Sequence, residues 1–280
     1  MITHASSHPV TWPNGNAFDM HVHTSHSDGL IRVSDLFVYL KHHNLCVAIT
    51  DHNTISGVEE AFTHPEAKEM IVPGIEVSAE DGPHVLVYFD RVAELKEYYK
   101  TSVVKHRGIC PHMAISLKTD KIIKTAQEAG GLVIAAHPYG YPIFTCGILK
   151  TLEKGRIDPE VLNELDGLEI LCSGLSHELN TRAASYARNH DFCMTGGSDA
   201  HTLREVGRAV TISHEPVSVP EFLEKIQKQK VDILGTERTQ LDTLRMNIQV
   251  MTKYAPHFRA VLPMILKAHT SQRKIRDSPP

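Results

Sequence analysis

Two histidines one residue apart, His21 and His23, close a short apolar stretch and are followed by Ser27-Asp28-Gly29. Three further clusters answer them downstream: Thr50-Asp51-His52, Ala136-His137-Pro138 and Ser198-Asp199-Ala200-His201. In an extended chain residues i and i+2 face the same way. His21 and His23 can therefore address one ion, and so can Asp199 and His201. Imidazole and carboxylate together suit Zn²⁺, Mn²⁺ or Fe²⁺, whereas Mg²⁺ prefers oxygen ligands. One His-x-His is as often a surface pair as a ligand pair. Four His/Asp clusters, each at the end of an apolar run, point instead to a metal centre and to hydrolysis. Glu76, in Pro73-Gly74-Ile75-Glu76-Val77-Ser78, is a further candidate, because a carboxylate can bridge two cations and hold them about 3.5–4 Å apart.

The elements that must position these residues alternate. Strands are expected at 18–22, 46–50, 70–77, 84–89, 132–136, 167–171, 192–195, 208–213 and 231–234. Helices are expected from 34, at 57–63, 92–105, 119–129, 176–189 and 220–229. Strand and helix in alternation with short connections predict a parallel α/β architecture. Functional residues gathered at the C-terminal ends of successive strands predict a (β/α) barrel. The competing doubly wound sheet lacks support, since no G-x-G-x-x-G or Walker loop is present. Residues 1–17 read as an N-terminal arm, 18–235 as the barrel and 236–280 as a helical extension with a disordered tail.

That extension differs in charge. Residues 236–280 carry eight Lys/Arg against three acids, a net +5, so residues 1–235 carry −9 of the chain's total of −4. Leu241, Leu244, Ile248 and Met251, then Val261, Leu262, Ile265 and Leu266, predict two amphipathic helices split near Pro256. The expected role is packing on the barrel; a homo-oligomer contact through these helices is the alternative. The acidic balance elsewhere disfavours a long nucleic acid as partner. The five widely spaced cysteines include no C-x-x-C pair, which argues against a disulfide framework and for a reducing compartment. The first residues have neither the basic nor the apolar region of a secretory signal, and no segment approaches the about 18 apolar residues of a membrane span. A cytoplasmic location is expected.

Taken together, the motifs resemble those of the PHP (polymerase and histidinol phosphatase) family of metal-dependent phosphoesterases. The matching stretches are Asp19-Met-His21-Val-His23-Thr24 with Ser27-Asp28-Gly29, Ile49-Thr50-Asp51-His52-Asn53-Thr54, Gly74-Ile75-Glu76-Val77-Ser78, Ala136-His137-Pro138 and Gly197-Ser198-Asp199-Ala200-His201. The resemblance covers about residues 18–235 and implies a distorted (β/α)7, TIM-like barrel with two or three divalent metals (Mn, Fe or Zn) at its mouth. It implies that His21, His23, Glu76 and Asp199 hold the first metal. Glu76 would bridge to a second, held also by His137 and one more histidine, His84 rather than His106 or His112. Asp28, His52 and His201 would hold a third. Asp199 and His201 are also the candidates to assist proton transfer, although ligation would occupy the same lone pairs. Arg107 and Arg204 are candidates to bind substrate phosphate, because guanidinium matches phosphate bidentately. Asp19 and Asp51 could orient ligating imidazoles or brace the strand ends.

The expected reaction is hydrolysis of a phosphomonoester on a small metabolite or nucleotide. The alternatives are a phosphodiesterase acting on a cyclic phosphate or as a 3′-5′ exonuclease, and a non-catalytic metal-binding regulatory domain. An amidohydrolase-like C–N hydrolase is more remote, since no motif lysine is present to sit between metals.

Overall fold

A computed structural model describes residues 2–4, 16–141 and 147–255 of the chain. Cys146, the expected second amphipathic segment at 261–266 and the expected disordered tail lie outside the described residues. The strands are β1 (Ile2–His4), β2 (Ala17–Val22), β3 (Cys46–Ile49), β4 (Ile71–Ser78), β5 (His84–Tyr88), β6 (Leu132–Ala135), β7 (Gly167–Cys172), β8 (Cys193–Gly197), β9 (Ala209–Ile212) and β10 (Asp232–Gly235). The α-helices are α1 (Val33–His43), α2 (Ser56–Ala61), α3 (Ala67–Met70), α4 (Val92–Tyr98), α5 (Thr119–Glu128), α6 (Ile148–Glu153), α7 (His177–Asn189), α8 (Val219–Gln227) and α9 (Gln240–Tyr254).

Strands β2 to β8 pair in chain order, and β1, β10 and β9 continue the sheet on the other side of β2. The ladder of seven comes back on itself through a parallel bridge between Val22 and Ala200, with His23 N–H donating to the Ala200 carbonyl at 2.8 Å. Gly197 permits this closure, because a Cβ there would meet the Cβ of His21 at 2.5 Å. The result is a distorted, nearly closed barrel, as the sequence predicts.

Alternating residues divide the apolar side chains between two cores. Phe18, Met20, Ala48, Val72, Leu86, Tyr88 and Ile134 fill the barrel interior, and Phe222, Leu223 and Ile226 of α8 join them. Phe222 stacks on Phe18 with ring centroids 3.7 Å apart. Val22, Val47, Ile49, Ile75, Val77, Val85 and Val87 belong to the other core, which also holds buried faces of α1, α5 and α7. Along β2 the parity changes. The register against β3 shifts between Asp19 and Val22, so Phe18 and Met20 serve the inner core while Val22 packs outward and His21 and His23 converge on the cluster described below. A bulge commonly re-aims side chains in this way beside an active site.

Three features depart from the sequence-based expectation. The barrel is not fully parallel: β5 runs antiparallel to β4 and β6, and β9 runs antiparallel to β2 and β10. The turn from Ser78 to His84 is too short for the crossover that parallel strands need. The helix expected at 92–105 is regular only over α4 and finishes in a π-type turn over Tyr99–Val103 and a 3₁₀ turn over Val104–His106. The arm expected at the N-terminus contributes the short strand β1, parallel to β10.

The first extension helix forms as α9, but its apolar stripe does not pack on the barrel. Leu241, Leu244, Ile248 and Met251 are 50–63% exposed, and Met246 is the buried apolar side chain of this helix. Polar ties hold α9 instead, among them Arg208 to Asp242 at 3.1 Å and Lys253 Nζ to the Ser25 carbonyl at 3.1 Å.

Candidate metal centre

The mouth of the barrel collects His21, His23, Asp28, His52, Glu76, His137, Asp199 and His201, all buried, and the nearly buried His84. Four donor atoms form an inner cluster. His21 Nε2 lies 3.1 Å from His23 Nε2, 3.4 Å from Glu76 Oε2 and 3.5 Å from Asp199 Oδ1. His23 Nε2 lies 3.4 Å from Glu76 Oε2 and 3.2 Å from Asp199 Oδ1. A tetrahedron of ligands at the usual metal distance of about 2.1 Å has edges of about 3.4 Å. Five of the six edges, at 3.1–3.5 Å, are near that length.

The other oxygen of Glu76 faces away from this cluster. Glu76 Oε1 lies 3.1 Å from His84 Nδ1 and 3.2 Å from His137 Nε2. The antiparallel course of β5 explains how His84 arrives, because the first residue of a reversed strand stands at the mouth, opposite Ser78. At the rim, Asp28 Oδ1 lies 3.3 Å from His201 Nε2 and 3.7 Å from His23 Nδ1, and Asp28 Oδ2 lies 3.7 Å from His52 Nε2. His52 Nδ1 lies 3.0 Å from Glu76 Oε2. Three groups of donors lie close enough together to hold an ion: His21, His23 and Glu76; His52, Glu76 and His84; and His23, Asp28, His52 and His201; Asp199 and His137 stand outside these groups but within 3.2–3.5 Å of His21, His23 or Glu76.

The donor chemistry fits cations. Two imidazole nitrogens aimed at each other cannot both donate, and here they share their focus with two carboxylate oxygens. Glu76 Oε2, Asp28 Oδ1 and His23 Nδ1 are buried without a well-formed hydrogen bond. Leaving such atoms unpaired costs about 1–3 kcal/mol each; cations would satisfy the two carboxylate oxygens, and ligation of His23 through Nε2 would leave its Nδ1 protonated and directed at Asp28.

Protonation in the metal-free protein follows the same logic. Burial works against every charge in the cluster, yet the imidazoles of His52 and His21 hold Glu76 well below the usual carboxylate range. His201 and His52 do the same for Asp28, and His21 for Asp199. Reciprocally, Glu76 and Asp28 overcome burial to push His52 up to about 9, and Asp28 pushes His201 up to about 9. Glu169 with Glu76 raises His21 well above its ordinary value. Burial and the neighbouring His201 bring His23 down to about 4, and burial lowers His84. Protons on selected imidazoles stand in for the missing positive charge.

Several residues outside the expected ligand set support it. Glu169 on β7 is buried; its Oε1 lies 3.1 Å from His21 Nδ1 and its Oε2 accepts the His137 N–H at 2.7 Å. It fixes one imidazole and one strand end together. Arg238, from the extension, is buried and donates from Nη2 to the Ser198 and Asp199 carbonyls at 2.8 Å each. Its Nη1 pairs with Glu205 Oε1 at 3.2 Å, and Glu205 Oε2 accepts the His201 N–H. Tyr141 donates to Asp199 Oδ2, and Tyr254 donates to Asp28 Oδ2 at 3.0 Å. Tyr254 and Arg238 come from distant segments with no spacing signal, whereas Tyr141 follows the His137 motif, where a pocket-lining or turn role is expected of it. Glu169, alone among apolar residues of a buried strand, carried the one signal that sequence could have offered.

Asp19 and Asp51 brace the backbone and hydroxyls of the turns beside the ligands. Asp19 accepts from the Ser198 and Gly207 N–H groups at 2.8 Å each. Asp51 accepts from Thr24 N–H at 2.7 Å and from the Ser27 hydroxyl at 2.6 Å. Asn53, His137 and Asp199 adopt left-handed backbone angles, with φ of 51°, 27° and 52°. Such strain in non-glycine residues gathers at functional sites, and here it turns the chain sharply just past β3, β6 and β8.

The two arginines differ in position. Arg107 is half-buried and donates from Nη1 to the Tyr99 hydroxyl at 2.7 Å. It begins a segment tied to the site, because Asn53 Nδ2 donates to the Pro111 and Met113 carbonyls and Ile115 N–H donates to the Ser78 carbonyl. Arg204 is exposed and acts electrostatically on Asp242; it is not part of the buried cluster. His106 meets Ser116, and the His112 ring lies edge-on to Tyr254 with centroids 5.9 Å apart; neither joins the groups able to hold an ion.

Known proteins place this arrangement. The PHP domain profile matches residues 19–190, and the PHP-associated C-terminal profile matches residues 177–231. An uncharacterized protein of Methanocaldococcus jannaschii is 23% identical over 235 residues, 82% of this chain and 84% of that protein. A crystal structure described as a metal-dependent phosphoesterase of Bifidobacterium adolescentis superposes with a TM-score of 0.54 at 20% identity, covering 79% of this chain and 99% of that one. The lesion-specific endonuclease Q of Pyrococcus furiosus gives 0.59 at 18% identity, over 78% of this chain and 57% of that one. By the profile match over most of its length, the chain belongs to the PHP domain family, metal-dependent hydrolases of phosphoric ester bonds.

Proposed function

We propose that this protein is a metal-dependent phosphomonoesterase acting on a small phosphorylated metabolite or nucleotide. The observation that carries the reading is the placement of Glu76, whose Oε2 faces His21 and His23 while its Oε1 faces His84 and His137. One carboxylate so placed can join two cation sites, and the Asp28, His52 and His201 donors offer a third. Bound Mn, Fe or Zn would lower the pKa of an attacking water and neutralise the phosphoryl oxygens.

In this reading His21, His23, Glu76 and Asp199 hold one ion, Glu76, His84 and His137 a second, and Asp28, His52 and His201 a third. Asp199 and His201 are the residues we assign to assist proton transfer. His201 Nδ1 is directed at the Asp199 carbonyl oxygen at 3.0 Å, which leaves Nε2 for the cluster. Tyr141 engages Asp199 Oδ2, which leaves Oδ1 for the inner donors. Arg107 is the cation we assign to substrate phosphate; Arg204, in solvent, is not needed there. The exposed stripe of α9 suits a contact between two copies of the chain. Buried Cys46, Cys110, Cys172 and Cys193, none of them in a disulfide, suit a cytoplasmic setting, and no helix among the described residues is long and apolar enough to cross a membrane.

The fold likeness to an endonuclease favours one competing reading, a phosphodiesterase acting on nucleic acid. Elemental analysis, paired with turnover of p-nitrophenyl phosphate and its bis ester, separates them. Two or three metals per chain with faster monoester release is the expected result. Faster diester release would overturn the monoesterase, and absence of metal with no response to Mn²⁺ or Zn²⁺ would overturn metal-dependent hydrolysis.

A further inference from the structure

The C-terminal extension meets the metal centre at both ends of one helix. Arg238, immediately before α9, is locked to the Asp199 strand end by the contacts above, and Thr239 caps the helix by accepting the Asp242 N–H at 3.1 Å. The helix is 15 residues long, about 22 Å at 1.5 Å per residue. Its last turn arrives at the turn after β2. There Lys253 Nζ donates to the Ser25 carbonyl and Tyr254 donates to Asp28 Oδ2 at 3.0 Å.

The consequence lies in the two oxygens of Asp28. Oδ1 faces His201 Nε2 and His23 Nδ1, and it makes no well-formed hydrogen bond of its own. Oδ2 accepts the Tyr254 hydroxyl. The terminal torsion of an aspartate is broad and two-fold, so a carboxylate bound at one oxygen is aimed only when its second oxygen is tied. Asp28 sits in a turn rather than in a strand, and the tyrosine supplies the tie. A phenol in this place can donate one hydrogen bond and leaves the inner face of the carboxylate open.

We infer that Tyr254 is the positioning residue of the rim subsite: it holds Asp28 with Oδ1 turned toward His201 and so sets the affinity of the outermost metal ion. This rests on the metal-dependent reading above. It makes the extension part of the site, although the helix supplies no ligand.

The test is a Mn²⁺ titration of the full-length, metal-stripped protein by calorimetry, with elemental analysis at saturation, on wild type, Tyr254→Phe and Thr252→Ala. Thr252 is exposed and bonds within its own helix. Tyr254→Phe removes one oxygen and keeps the ring. Its weakest binding step should weaken roughly tenfold, the lower end for partners of metal ligands, while the tighter steps and Thr252→Ala match wild type. Raising Mn²⁺ by the same factor should restore its turnover, a rescue that general loss of structure would not give. Equal weakening of every step, or an unchanged titration, would overturn the inference. Wild type that binds no Mn²⁺ at all would overturn it together with the reading on which it rests, and that outcome is visible before any variant is compared.

Discussion

The inner and rim sides of the metal centre are built from different material. Among the inner donors, His21 and Glu76 lie within β2 and β4, His23 is the first residue past β2 and Asp199 the second past β8, and the distances given above span 3.1–3.5 Å. The rim donors lie past strand ends, Asp28 in a turn, His201 in a bend and His52 in an isolated bridge to Glu76, at 3.3–3.7 Å. Strand backbone is fixed by ladder bonds on both sides, so it presents side chains in tight register. Turn backbone is not, and the rim is aimed by neighbours brought from elsewhere: Tyr254 for Asp28, Ser78 for His52 and Glu205 for the His201 backbone. The barrel strands set His21 and Glu76 directly, and other segments finish the rest, Arg238 and Tyr141 at Asp199 and Tyr254 at Asp28.

Glu76 is the residue the two halves share, so its removal should be the most severe single change. Glu76→Ala should lower kcat/KM by at least about 10³, roughly 4 kcal/mol of barrier, and reduce metal content by more than one ion per chain. The far-ultraviolet circular dichroism should hold, since the outward neighbours Ile75 and Val77 still fill the core. Normal metal content with retained turnover would show that the halves are independent.

Arg238 ties the extension to the inner half, and the expected effect of its loss is on stability. Arg238→Ala leaves Glu205 and Asp199 buried without their guanidinium and strands two carbonyls. Breaking a buried pair in this way costs about 3–5 kcal/mol, which should appear as a fall in melting temperature of about 10 °C for a domain of this size. An unchanged melting temperature would mean that the extension is separable from the barrel.

What could be read from the sequence divides along the same line. The ligands at strand ends were legible because period-two spacing carries direction: His21 in β2 and His23 one residue past it meet one focus, and Asp199 follows an apolar run. The barrel was legible from the alternation of elements and the ligands at strand ends, and its seven strands from the resemblance of the motifs to the PHP family. The reversal of β5 was not drawn from its short turn, although Ser78 and His84 are too close for a crossover. The supports were illegible for a different reason. Arg238 and Tyr254 act from 39 and 226 residues away from the aspartates they serve, and no local pattern marks a side chain whose partner is set by tertiary packing. The stripe on α9 misled for a related reason: Leu244 and Ile248 have helical spacing, but Arg208, Arg238 and Tyr254 decide which face meets the barrel.

Glu169 allows the inner half to be disturbed without touching a proposed ligand. Its two oxygens accept from His21 and from the His137 N–H, and a glutamine offers only one accepting oxygen. Glu169→Gln should weaken metal binding or activity by roughly 10–100-fold, with the loss confined to the tighter binding steps. Loss confined to the weakest step would reverse the assignment of inner and rim.

Protons give the finest comparison. In the metal-free protein His52 and His201 titrate at about 9, so at pH 7 an ion entering the rim must displace two protons. In the inner half His21 is raised, but His23 lies near 4, so one proton must leave. Each displaced proton contributes about tenfold in affinity per pH unit below its pKa. Between pH 7 and 8 the rim step should therefore tighten by up to about 100-fold and the inner step by about tenfold. Stability of the metal-free protein should move the opposite way. The raised folded-state values of His52 and His201 stabilise fully below the unfolded histidine value of about 6.5, and that contribution is lost as pH rises through about 9. The depressed carboxylates Asp28, Glu76 and Asp199 remain ionised throughout this window and contribute no slope. Chelator-treated protein should accordingly melt lower at pH 9 than at pH 6.5, while metal-loaded protein, whose imidazoles carry no proton to lose, should not. Parallel melting curves for the two forms would break the link between proton and metal on which the contrast between the two halves depends.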